Sequence, residues 1–80
     1  MTKLERTQKM LTLAQEGSLT TLRHIVRAEM RKVLEVHEQG IFVWEEWHHA
    51  LEDLQAAIER HDPHMAVAIL EDLHSTLSSP

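Results

Sequence analysis

Seven histidines and ten glutamates in a chain of 80 residues are the side chains best able to do chemistry, and their spacing invites a metal. Glu45-x-x-His48, Glu46-x-x-His49 and Glu71-x-x-His74 each match the Glu-x-x-His spacing by which di-iron bundles offer a carboxylate and an imidazole to one centre. Such a centre requires these groups to project together into one core. Helical periodicity instead puts Glu45, Glu46 and His49 on the polar face of one helix, and Glu71 and His74 beside the apolar face of another. In a chain so rich in both residue types the matches read as chance, and neither a metal nor another cofactor is expected. His61-x-x-His64 straddles a turn at Asp62-Pro63, so helical spacing does not apply to it. It reads as a helix C-cap at His61 with His64 exposed, ahead of a surface metal site. His37 reads as a helix-end histidine.

Two further polar features stand out. Glu29 interrupts an apolar arc formed by Leu22, Ile25, Val33 and Val36. A lone buried carboxylate is costly, so it needs a partner or a rim position, with Lys32 or the indole N–H of Trp47 as candidates. No second inward titratable group accompanies it, which argues against acid–base catalysis. Arg23, Arg27 and Arg31 recur every four residues and could track phosphates, but no aromatic residue is interleaved with them. Nucleophile motifs and Gly-rich phosphate loops are missing. The expectation is a protein that is not an enzyme.

The elements that carry these residues are all helices. Leu4, Leu11 and Ala14 give a thin stripe over about 3–15, with Met10 near its edge and Leu13 pointing elsewhere. Gly17-Ser18 suits a C-cap followed by an N-cap. Leu19, Leu22, Val26, Met30 and Val33 line a second helix over about 19–38. Val43, Trp44, Trp47, Leu51, Leu54 and Ile58 share one face of a third, over about 41–60, from which Ile41 and Phe42 are left out. Asp62-Pro63 opens a fourth over about 63–77, lined by Met65, Ala66, Ile69, Leu70, Leu73 and Leu77. Residues 78–80 are expected to fray. Strand-like alternation, repeats and low-complexity segments are absent. Short connections make neighbours antiparallel, so the predicted fold is all-α: an antiparallel hairpin of the second and third helices, extended to a small three- or four-helix bundle in a single domain of residues 1–80.

Composition narrows the function. Without cysteine, disulfides and thiolate metal sites are excluded. No apolar run approaches the roughly 20 residues of a membrane span, and Met1-Thr2-Lys3-Leu4-Glu5 opens no signal-peptide core. A cytoplasmic protein is expected. The net charge of −5 divides unevenly: residues 1–40 hold seven Lys and Arg against five acids (+2), and residues 41–80 hold Arg60 against eight acids (−7). An acidic chain disfavours nucleic acid. Opposed halves suit packing on each other or a partner that reads one of them. Chains this small bury only roughly 60% of their unfolded surface, and Leu13, Leu34, Ile41, Phe42 and Val67 lie outside the stripes. A shared interface with a second chain follows as an expectation.

Met1-Thr2-x-Leu4-Glu5, a long helix ending near Gly40, then Val43-Trp44 followed by Ala50-Leu51-Glu52 and Ile58 resemble the small needle co-chaperones of type III secretion systems, the YscE, PscE and SsaE type. The resemblance covers about residues 1–58; the Asp62-Pro63 turn and fourth helix depart from the shorter members. It implies a helical hairpin that pairs with a tetratricopeptide-like chaperone in the bacterial cytoplasm and keeps a needle or translocator subunit soluble before export. The partner-binding residues expected on this reading are Leu13, Ile41, Phe42, Trp44 and Trp47. The alternative is a homodimeric helical regulatory or adaptor protein, reading nucleic acid through Arg23, Arg27 and Arg31.

Overall fold

A computed structural model describes residues 2–38 and 45–79, with the side chains of Val36, His37 and Glu38 outside the description. Four helices and no strand occur among these residues: α1 (Lys3–Gln15), α2 (Leu19–Glu38), α3 (Glu45–Glu59) and α4 (Pro63–Ser78). The all-α fold expected from periodicity is present. The start expected for the third helix, at residues 41–44, falls outside the described residues.

Each helix end has an identifiable cause. Thr2 and Glu5 form a capping box at the start of α1: the Glu5 amide donates to the Thr2 hydroxyl at 3.1 Å and the Thr2 amide to the Glu5 carboxylate at 3.2 Å. The C-terminus of α1 closes in a Schellman turn. The Ser18 amide donates to the Leu13 carbonyl at 2.9 Å and the Gly17 amide to the Ala14 carbonyl at 3.1 Å, with Gly17 at φ 76°. The same turn ends α3: the Asp62 amide reaches the Ala57 carbonyl and the His61 amide the Ile58 carbonyl, both at 3.0 Å. Here His61, at φ 55°, holds the left-handed position. Asp62 then caps α4 by accepting from the Met65 amide at 3.0 Å, with Pro63 in the first turn. Of the tail expected to fray, Ser78 is helical, the Ser79 amide and hydroxyl both bond the Ser75 carbonyl, and Pro80 lies outside the described residues.

Because both turns are tight, α1–α2 and α3–α4 are antiparallel hairpins, and they pack as a closed ring. α1 touches α4 and α2, and α3 touches α4 and α2; the α1–α4 interface is the most extensive. The α2–α3 pair is therefore one seam of a four-helix bundle, and the fourth helix packs on its own chain. Among the described residues fourteen buried apolar side chains form the core, with Met10, Leu22, Leu51, Leu54, Ala66 and Leu70 wholly enclosed.

Several positions depart from the sequence reading. Met10, placed at the edge of its stripe, is enclosed because α4 covers that side of α1. Leu4 and Met65, assigned to stripes, are 36% and 48% exposed. Leu13 and Val67, left outside, pack half-buried against the core. The two hairpins also repeat a burial pattern that no residue identity announces. Laying His61 on Gly17 brings Leu51 onto Thr7, Leu54 onto Met10, Ile58 onto Ala14, Ala66 onto Leu22, Leu70 onto Val26 and Leu73 onto Glu29, all buried.

The two turns give a paired test. A Cβ at Gly17 would meet no atom within 4 Å, so Gly17→Ala costs only the dihedral strain, about 1 kcal/mol. His61→Gly relieves the same strain and raises stability by up to about 1 kcal/mol, less the added freedom of the unfolded chain. Urea denaturation with unchanged slopes should order the variants in that way; a neutral Gly17→Ala would remove the left-handed turn as a determinant of the hairpin.

Candidate functional site

The buried polar group nearest to a site is Glu29, 6% exposed on α2. Its carboxylate lies 3.4 Å from the Lys32 ammonium and 3.7 Å from the Arg6 guanidinium. Lys32 is the partner expected one turn away. Arg6 comes from α1, and the indole of Trp47 is not among the described hydrogen bonds to Glu29. Thr7, fully buried beside Arg6 in sequence, donates its hydroxyl to the Lys3 carbonyl at 2.8 Å. Its polarity is absorbed within its own helix. The group is a cross-helix ion pair at the α1–α2 seam.

The Glu-x-x-His matches disperse over different faces. His48 turns toward α2 and pairs with Glu52 at 3.1 Å. Glu46 and His49 line the opposite side of α3, facing α4. Glu71 is exposed, and His74 lies within 3.5 Å of the Ser78 hydroxyl. Among the described residues no three His, Cys, Asp or Glu groups come together as a metal could use them. His61 takes the C-cap role expected of it, and His64 is exposed beside the α1–α2 turn. His37 lies outside the described side chains.

Two open grooves between helices are found among the described residues. The α2–α3 groove has Met30 and Ala56 as its apolar floor, with His48, Glu52, Gln55 and Glu59 along the α3 wall. The α3–α4 groove joins Ala50, Ile69 and Leu73 with Glu46, Asp53 and Asp72. Arg23, Arg27 and Arg31 are exposed on α2, with no described carboxylate within 4.0 Å. Pairing along their own helix is not seen among the described residues.

Of the five expected partner-binding residues, Trp47 is 3% exposed in the chain's own core, and the Lys3 ammonium lies 5.8 Å from its ring centroid. Leu13 is half-buried against the same core. Ile41, Phe42 and Trp44 lie outside the described residues. Leu34 is the most exposed large apolar side chain described, at 53%. The sequence reading missed two features. The Thr2-x-x-Glu5 capping box was available as a spacing signal, whereas the Arg6–Glu29 pair spans two helices and has no local signature.

The equivalence of Glu29 with Leu73 predicts the outcome of removing the charge. Glu29→Leu should leave stability unchanged or raise it, since a buried ion pair replaced by a fitting apolar side chain is often neutral or better. Arg6→Ala, which leaves the carboxylate with Lys32 alone, should cost about 1–2 kcal/mol. Chemical denaturation of the two variants at neutral pH reads the difference, and an Arg6→Ala variant as stable as the parent would show the pair to be inert.

No family model, curated protein or solved structure matches this chain.

Proposed function

We propose that the protein is an association module, a small co-chaperone that buries a helical face of a partner protein and so helps keep a secreted needle or translocator subunit soluble in the bacterial cytoplasm. The observation that carries the association reading is the α3–α4 groove. Its floor of Ala50, Ile69 and Leu73 is apolar, and its walls carry Glu46, Asp53 and Asp72. An amphipathic helix with basic flanks fits such a groove by the usual i, i+3, i+4 anchoring. The secretion context rests on the resemblance of residues 1–58, and no helix of the described residues is long and apolar enough to cross a membrane. Phe42 and Trp44, with Ile41, are the proposed aromatic and apolar anchors, since such residues dominate helical interfaces. Trp47 and Leu13 act on this reading by holding the bundle that presents them.

Co-expression with tetratricopeptide-like chaperones encoded nearby tests the proposal. Phe42→Ala and Trp44→Ala should abolish co-purification with helicity intact, and Ile69→Lys should weaken it. Trp47→Ala should instead lower stability by about 3–5 kcal/mol, because it empties the core. Retained co-purification in the first two variants would remove those residues from the interface, and no complex with any such chaperone would remove the co-chaperone reading.

A further inference from the structure

The α2–α3 groove sets an acidic α3 wall beside the helix that carries the arginine row. Met30 is the α2 residue at its floor. At about 100° per residue, Arg23, Leu34 and Arg27 fall within about 60° of Met30 around the α2 axis. That places them on the α2 rim of the groove, and all three are exposed. The facing α3 wall carries Glu52 and Glu59. Within one chain the groove keeps the two rims apart, and neither arginine has a described carboxylate within 4.0 Å.

α2 and α3 run antiparallel, and Met30 lines the same groove as His48, Glu52 and Glu59. Arg23 stands seven residues from Met30, and Glu59 seven residues from Glu52, in the same direction along the bundle. Both displacements are about 10 Å. A rim that is positive on one side and negative on the other, in register, is complementary to its own copy turned by a twofold axis parallel to the helices. Such a rotation lays α2 of one copy antiparallel over α3 of the other. Residue pairs are then exchanged reciprocally, as a closed isologous interface requires.

We infer that this face is a homodimer interface: Arg23 and Arg27 of each copy meet Glu59 and Glu52 of the other, beside an apolar patch of Met30 and Leu34. A polyanion is the weaker occupant, because the carboxylates of the α3 wall stand beside the arginine row and would repel phosphates. The homodimer is independent of the co-chaperone reading, and either can fail while the other stands.

The experiment is a charge exchange followed by sedimentation equilibrium of the full chain. The parent should show a concentration-dependent dimer, weakened by salt as exposed ion pairs are screened. Arg23→Glu with Arg27→Glu should lose dimer affinity by roughly tenfold or more, and so should Glu52→Arg with Glu59→Arg. Mixing these two variants should restore a heterodimer, because every contact again joins opposite charges. Circular dichroism should show equal helicity throughout. Leu34→Ser, which leaves the charges in place and removes part of the apolar patch, should also weaken the dimer. A parent that stays monomeric at high concentration overturns the inference, and so does a dimer that survives both charge reversals or one that mixing fails to restore. A monomer whose Arg23 and Arg27 instead bind a single-stranded oligonucleotide would overturn it in favour of nucleic acid.

Discussion

Packing of α4 onto α1 is the contact that makes the other elements possible. The stripe of α1 is thin, and a helix of 13 residues with so few apolar groups is marginal by itself. Alone against α2, α1 would leave one side of Met10 in water. With α4 in place Met10 is fully enclosed, and Ala14 and Ala66, small residues at 2% and 0% exposure, lie toward the end of the bundle where the two tight turns meet. Small side chains there let the helices approach closely. The ring closes only because both hairpins turn by the same means, a Schellman turn that leads straight into the next helix. One uses a glycine in the left-handed position, and the other a histidine that carries some strain there.

The two hairpins are similar in burial and different in polarity, and the difference lies at one place. Where the second hairpin presents Leu51 and Leu73 to the core, the first presents Thr7 and Glu29. The hydroxyl is satisfied inside its own helix, and the carboxylate draws Arg6 and Lys32 toward it. A buried ion pair of this type contributes little net stability. It does mark one seam as different from its pseudo-equivalent, so the α1–α2 seam cannot be replaced by an α3–α4 seam without leaving a carboxylate unpaired. Outside the core the charges divide as well. Acids of α3 and α4 line the two described grooves, Glu52 and Glu59 in one and Glu46, Asp53 and Asp72 in the other, while the arginines of α2 are exposed.

Much of this was legible in the residues. The ends of α1 and α2 lie where Gly17-Ser18 and the apolar stripes put them, and Asp62-Pro63 marks the start of α4, because caps and turns are local chemistry acting over three or four residues. The polar faces were equally plain: His49, Glu52 and Asp53 point away from the core as periodicity requires, which was enough to disperse the Glu-x-x-His matches. The candidate site was less legible. Trp47 and Leu13 have the composition of an interface, yet the first lies in the core and the second rests on it. An apolar residue on a stripe looks the same whether its own chain or another covers it.

By itself, then, the sequence determined the helical class, the turns at Gly17-Ser18 and Asp62-Pro63 and the sign of each half of the chain, since these follow from side chains within a turn or two of one another. Only the tertiary structure decided that α1 closes on α4, that Met10 is enclosed while Met65 is not, that Glu29 meets Arg6, and that Met30 of α2 shares a groove with Glu52 and Glu59 of α3. Each of these depends on which helix lies beside which, a choice made by the summed burial of the whole ring and carried by no single segment of the chain.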